Sequence, residues 1–320
     1  MPECAIEVEN LVKKYKSVTA VDNISFKVKK GELFAFLGPN GAGKTTTVEI
    51  IETIRKPTSG NVRLLGLDVI KDKMEIVRRI GVLPQEFSSF DNITVRETVN
   101  YYSKLFGSKT DIDKLIELVN LTDKRNERYR NLSGGLKQRL GIAIALVNDP
   151  EVVFLDEPTT GLDPRARREV WAVLQGLKKE GKTIFLTTHY MEEAELLADT
   201  VAIISKGKVI AIDSPRELVD KNTEHLLLTL RGVDKDSNLP NNVYEMLSKI
   251  GYNTRYELEK SNNSNGDLKI KFTKNEDLLS ILNLLKDMKI CYKSLDVRKP
   301  NLEEVFLKLT GETLHKEAKI

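Results

Sequence analysis

Nine consecutive residues, Gly38-Pro39-Asn40-Gly41-Ala42-Gly43-Lys44-Thr45-Thr46, combine three glycines, a lysine and hydroxyl side chains at the spacing G-x-x-x-x-G-K-[ST]. Glycines let the backbone curl with its N–H groups turned inward, and a following helix N-terminus adds positive potential, so a polyphosphate fits there. In that arrangement Lys44 neutralises the β- and γ-phosphates, and the Thr45 hydroxyl helps hold Mg²⁺. The plain alternative is a glycine-rich turn that happens to carry a lysine, and the flanking elements decide against it. A second stretch, Leu132-Ser133-Gly134-Gly135-Leu136-Lys137-Gln138-Arg139, opens a helix with a serine and two glycines. That is another anion site, built from backbone donors, a hydroxyl and a helix dipole, unless Ser133 is only an N-cap. Two phosphate-type helix starts in one chain mean either two nucleotides or one nucleotide shared between copies. A third group is Asp156-Glu157 at the end of Glu151-Val152-Val153-Phe154-Leu155. Paired acids in a loop are usually only solvated. Behind a continuous apolar run, Asp156 fits a ligand of the Mg²⁺ water shell, and Glu157 projects differently, toward polarising an attacking water.

The elements that must carry these groups are legible around them. Leu33 to Leu37 has the length and composition of a buried strand, and Val48, Ile50, Ile51 and Ile54 recur at helical spacing until Lys56-Pro57-Thr58-Ser59-Gly60. Strand, loop and helix is the context a phosphate loop needs. Val152 to Leu155 reads as a parallel strand buried on both faces, whose C-terminal end is where α/β ligands bind. Thr183 to Thr188 is the next strand, with His189 at its end. A lone histidine is more often structural, but the chain has only three, and His189 shares a strand-end edge with the acids. Gln85 ends the apolar run Ile80 to Pro84, where by itself it is any polar loop residue.

Around this frame, Ile6 and Val8 and then Ile24, Phe26 and Val28 alternate as strands, with a polar turn expected at Lys13-Lys14-Tyr15-Lys16. Tyr15 is either a half-buried strand-end tyrosine or a platform for a purine ring. Asn61 to Gly66 reads as strand and turn, Ile93 to Leu121 as a helical insertion, and Gly161-Leu162-Asp163-Pro164 as a turn into a helix whose core face is Val170, Val173, Leu174 and Leu177. Trp171, one position off, is partial core. Val201 to Ile212 forms a hairpin about Lys206-Gly207-Lys208, and Ser214-Pro215 opens a short helix.

At 320 residues two domains are the natural prior. The net charge of +3 shows no strongly basic tail, so no nucleic-acid partner is expected. Cys4 and Cys291 offer neither a disulfide framework nor a zinc site, which suits a reducing compartment. The apolar run Ile142 to Val147 falls far short of the roughly 20 residues of a membrane helix. A soluble, cytoplasmic chain is expected, reaching a membrane only through a partner.

Taken in order, Gly38 to Thr46, Gln85, Leu132 to Arg139, Val152 to Pro158, Gly161 to Pro164 and His189 resemble the Walker A, Q-loop, signature, Walker B, D-loop and switch histidine of ABC ATPase cassettes. The resemblance covers roughly Ile6 to Leu218, and the signature is its specific part, since the Walker motifs alone admit any P-loop NTPase. It implies an α/β P-loop NTPase fold with a helical subdomain at about 86–148 inside an ABC domain of residues 1–220. It implies an ATPase that binds ATP and Mg²⁺, with Thr45, Asp156 and Gln85 at the metal and Glu157, His189 and Gln85 in hydrolysis. Tyr15 becomes the adenine-stacking ring, beside Asn40, Gly41, Ala42, Gly43, Lys44, Thr45 and Thr46. Two cassettes pair head to tail in this family, so Ser133, Gly134 and Gly135 close over the ATP of another copy.

Beyond Lys221 the order strand, helix, strand, strand, helix, strand is expected: His225 to Leu230, Val243 to Ile250, Tyr252 to Leu258, Leu268 to Phe272, Glu276 to Met288 and Cys291 to Val297. That fits a small α+β, ferredoxin-like accessory domain over 221–320. The loop Ser261 to Asp267 and a final helix Asn301 to Leu309 complete it. Asn301-Leu302-Glu303-Glu304-Val305-Phe306-Leu307-Lys308-Leu309-Thr310-Gly311, and Asn92-Ile93-Thr94-Val95-Arg96-Glu97 after Gln85, resemble the daunorubicin-resistance-type exporter ATPases. The expectation is the ATP-hydrolysing subunit of a membrane exporter, serving a separate integral-membrane permease from the cytoplasmic face, most simply as a homodimer. A soluble ABC ATPase working on ribosomes or nucleic acid is the alternative.

Overall fold

The computed structural model describes residues 4–223, 225–234, 265–272, 275–287 and 290–311. It divides into two compact units, one holding the residues up to Leu218 together with those from Leu309 on, and the other Val219–Lys308, so that the boundaries fall inside two helices.

In the first unit the chain runs β1 (Cys4–Tyr15), β2 (Val18–Lys29), β3 (Leu33–Leu37), α1 (Lys44–Ile51), β4 (Ser59–Leu64), β5 (Leu67–Asp68), α2 (Lys73–Arg79) and β6 (Ile80–Leu83). It continues with α3 (Val95–Phe106), α4 (Ile112–Leu118), α5 (Gly134–Ala145), β7 (Val152–Asp156), α6 (Pro164–Lys179), β8 (Thr183–Thr188), α7 (Met191–Leu197), β9 (Thr200–Ser205), β10 (Lys208–Asp213) and α8 (Pro215–Asn222). Six strands form a sheet in the order β10-β9-β3-β8-β7-β6, all neighbours parallel except the β9–β10 hairpin. A second, antiparallel sheet has the order β2-β1-β4-β5.

The parallel strands are apolar along their length because both faces are covered. Phe34, Phe36, Phe154 and Phe185 point to one side, where Phe26 of the antiparallel sheet stacks on Phe34 at 5.4 Å between ring centroids. Leu33, Leu155, Ile184 and Leu186 point to the other, against Leu140, Ala143, Val170 and Leu174 of α5 and α6. Trp171, expected as partial core, is buried outright at 5% exposure. The Lys13 to Lys16 stretch is also not the turn expected: β1 continues through Tyr15, because Lys13, Lys14 and Tyr15 pair with Val21, Thr19 and Val18 across the hairpin.

In the second unit β11 (Leu226–Asp234) is the middle strand of a three-stranded antiparallel sheet with β12 (Asn265–Phe272) on one side and β13 (Ser294–Arg298) on the other. Helix α9 (Asn275–Asp287) lays Ile281 and Leu285 on Leu228, Leu230 and Ile270, and α10 (Leu302–Thr310) follows. The strand reaches back through Asn265, so part of the loop expected at 261–267 is β-structure. The helix expected at 243–250 and the strand at 252–258 lie outside the described residues.

Candidate functional site

The sheet order explains how distant residues meet. β3, β8, β7 and β6 are parallel neighbours, so their C-terminal ends lie side by side, and Lys44, His189, Glu157 and Gln85 follow them in the same order. Open α/β sheets bind ligands along that edge.

The loop after β3 needs its glycines for space. A Cβ on Gly38 would lie 2.4 Å from the Ile204 carbonyl oxygen, and one on Gly43 would lie 2.4 Å from that of Ala20. Gly43 also holds φ at 103°, a left-handed conformation, as the N-cap of α1. The same contact sets Ala20 of β2 against the phosphate loop. The Tyr15 ring is 37% exposed, with the Lys13 ammonium 5.0 Å and the Arg55 guanidinium carbon 5.8 Å from its centroid.

Lys44 is buried and donates to the carbonyl oxygens of Gly38 at 2.9 Å and Pro39 at 3.3 Å, while its Nζ lies 3.1 Å from Glu157 Oε1. Glu157 is a crossing point. Its Oε2 accepts from the Thr160 hydroxyl at 3.1 Å and Gln85 Nε2 at 3.4 Å, and sits 3.0 Å from His189 Nδ1. Burial alone would raise the Glu157 pKa, but the His189 hydrogen bond and the Lys44 charge outweigh it and lower it to about 2. Glu157 is also held at φ 48°, rare for a residue with a side chain. Its N–H is pinned by the Thr187 carbonyl oxygen at 3.1 Å and hydroxyl at 3.0 Å.

Asp156 is directed elsewhere, as consecutive residues must be at a strand end. Its Oδ1 accepts from the Thr187 hydroxyl, and its Oδ2 lies 3.4 Å from Thr45 Oγ1. Burial raises its pKa. One carboxylate and one hydroxyl converging on a point are hard oxygen donors of the kind Mg²⁺ takes, with water and phosphate completing the shell.

Ser133, Gly134 and Gly135 are not part of this group within the chain. Among the described residues no hydrogen bond joins them to the 38–46 loop. Ser133 is the N-cap of α5, with a long 3.4 Å bond from Leu136 N–H. Gly135 is glycine because a Cβ there would come within 2.7 Å of Ala166 Cβ on α6. Ser133 and Gly134 are exposed.

Sequence reasoning missed Thr187, Thr160 and Glu193. Glu193, on α7 four positions past His189, is fully buried and accepts at Oε1 from Thr159 Oγ1 at 2.8 Å and Trp171 Nε1 at 2.9 Å. It ties the loop behind Glu157 to α6 and α7. In the sequence it sits in Met191-Glu192-Glu193-Ala194-Glu195, a run that looks like a solvated acidic face.

Residues 21–160 match the family model described as "ABC transporter". Over nearly the whole chain it is 34% identical to the linearmycin resistance ATP-binding protein LnrL of Bacillus subtilis strain 168 (97% of this chain, 99% of the relative). The chain belongs to the ABC transporter family. It is an ABC ATPase of the exporter type, an ATP-binding, ATP-hydrolysing chain. The Nod factor export ATP-binding protein I of Paraburkholderia xenovorans strain LB400 is 38% identical, over 98% of this chain and 99% of the relative. Among solved structures, the dimeric post-hydrolysis ABC cassette MJ0796 bound to ADP and Pi superposes with a TM-score of 0.59 at 27% identity, covering 65% of this chain and 98% of that one. The cassette cbiO1 from Clostridium perfringens gives 0.62 at 28%, covering 78% and 98%. Full-length similarity to export subunits sets aside the ribosome or nucleic-acid alternative.

Proposed function

We propose that two copies of this chain clamp two ATP molecules head to tail and drive a separate membrane permease outward from its cytoplasmic face. The observation that carries this reading is the split of the phosphate-handling groups. Lys44, Thr45, Asp156, Glu157, Gln85 and His189 gather at one strand edge, while Ser133, Gly134 and Gly135 form a second anion-type helix start whose Ser133 and Gly134 are exposed. The relative MJ0796 is described as a dimer with ADP and Pi, which supports the pairing.

Asn40 to Thr46 wrap the phosphates with backbone N–H groups, and Tyr15 stacks on the adenine. Thr45 and Asp156, joined by Gln85 once it leaves Glu157, would hold Mg²⁺, which supplies positive charge against the phosphate oxygens when bound. Phosphates compete with Glu157 for Lys44. As Lys44 turns to them, Glu157 loses one of the charges that keep its pKa near 2 and becomes a better acceptor for the proton of the attacking water. His189 Nδ1 holds Glu157 in place, which leaves its other ring nitrogen for the γ-phosphate. Loss of that phosphate after hydrolysis releases the pair, a ligand-driven shift between closed and open states.

The permease is received where Gln85 meets the helical insertion. A cleft of about 470 Å³ opens there, lined mainly by apolar side chains of β6, α3 and α5. No helix among the described residues is long and apolar enough to cross a membrane, so transport needs the second protein. The test is ATPase activity of the chain alone and co-expressed in turn with multispanning membrane proteins encoded by neighbouring genes. Stimulation by one of them supports the reading; activity that responds to none contradicts it.

A further inference from the structure

The cleft beside Gln85 has one feature that apolar docking does not use. Its walls are Ile54, Val77, Val82, Phe87, Tyr102 and Phe106, yet Glu52 opens into it from the end of α1. Glu52 is only 6% exposed, and among the described residues neither a cation nor a hydrogen-bond donor pairs with its carboxylate. Burial, and then the negative charges of Asp156 and Glu49, push its pKa up to about 8. Glu86 is the cleft's other carboxylate, and no lysine or arginine lines it. Without a partner Glu52 is therefore held mostly protonated at neutral pH, and a cation brought by a ligand lets it ionise and pair.

We propose that Glu52 is the acceptor for a lysine or arginine carried on an apolar helical segment of the membrane partner, so that docking in this cleft forms one buried ion pair beneath an apolar contact. Charge complementarity selects this occupant: the cleft offers a wide apolar wall and two carboxylates with no cation. The inference rests on the export reading, and it adds the chemistry by which the partner is chosen. A segment with the right apolar face but an acidic residue at that point is refused, because it would bury a second acid in a dry site with no cation for either.

The test uses the full chain co-expressed with the permease that stimulates it, as wild type, Glu52→Gln and Glu52→Lys. Retained ATP binding by each variant shows that it is folded, and Glu52→Gln keeps the shape of the side chain if the lysine disrupts it. Removing one member of a buried pair costs enough that permease affinity should fall by about 30-fold in Glu52→Gln, and further in Glu52→Lys. An acidic substitution at one basic residue of the permease's cytoplasmic segments should restore binding to Glu52→Lys. Equal binding of all three forms overturns the ion pair while leaving the export reading intact. A wild-type chain that binds no permease overturns the export reading, and this inference with it. If Glu52→Lys instead changes the association of the chain with itself, the occupant is a second copy and the proposal is wrong.

Discussion

The Lys44 ammonium and the Glu157 carboxylate, 113 positions apart in sequence, face each other at 3.1 Å with 5% and 6% of their side chains exposed. In the proposed function the pair joins the residue that would grip phosphate to the residue that would accept a proton from water. Removing either member therefore has two effects, one on nucleotide chemistry and one on the fold.

Lys44→Ala deletes charge-assisted contacts to the phosphates and leaves Glu157 buried beside only His189, Gln85 and Thr160. Nucleotide affinity should fall sharply. Stability should fall toward the lower end of the roughly 3–5 kcal/mol typical of a broken buried pair, because the other partners remain. Isothermal titration with ATP and urea unfolding measure the two; normal ATP affinity in Lys44→Ala contradicts the phosphate-loop assignment.

The pH dependence follows from the sign of the Glu157 shift. Its folded pKa is lowered to about 2 from an ordinary value of 4.5, so its stabilising contribution is complete above about pH 4.5 and is lost as pH falls toward 2. The stability difference between wild type and Glu157→Gln should therefore shrink from pH 6 to pH 3. A difference that stays constant over that range rules out an ionised, paired Glu157.

Glu193 behaves in the opposite way. Burial raises its pKa, so its contribution is full at low pH and is lost as pH rises through the folded value. Glu193→Ala leaves the Thr159 hydroxyl and Trp171 Nε1–H without an acceptor, at roughly 1–3 kcal/mol each. Glu193→Gln keeps the acceptor oxygen and should unfold near the wild-type denaturant midpoint. Equal damage from both substitutions would show that the ionised carboxylate is required.

Tyr15→Ala should weaken ATP by about 5- to 150-fold, the equivalent of roughly 1–3 kcal/mol of ring stacking. Tyr15→Trp should bind normally. Fluorescent ATP-analogue binding checks both, and unchanged affinity in Tyr15→Ala returns the ring to an ordinary strand-end tyrosine.

Much of the site was legible because its residues close contiguous motifs on regular elements. Lys44, Asp156, Glu157 and His189 each follow an apolar strand, and strand periodicity is visible in sequence. Thr187 and Glu193 were not legible, because their roles come from a neighbouring strand and from burial by α6, which no local pattern encodes. The two stretches that resembled an exporter branch prove to be helix-start devices. Thr94 and Glu97 form a reciprocal capping box at α3, and Asn301 and Glu304 exchange the same pair of bonds at α10. They position helices, which is why no chemistry could be read from them. Lys13, Lys14 and Tyr15 look like a turn in sequence, whereas pairing with β2 carries them into the hairpin.

The central claim is that Gly38 to Thr46 is half of a site whose other half is Ser133, Gly134 and Gly135 of a second copy. Glu157→Gln tests it most directly, since it keeps the phosphate contacts of Lys44 while removing the carboxylate that accepts the proton. Light scattering on that variant should give twice the monomer mass with ATP and Mg²⁺ and the monomer mass without nucleotide, with hydrolysis nearly abolished. A variant that binds ATP and stays monomeric contradicts the shared site.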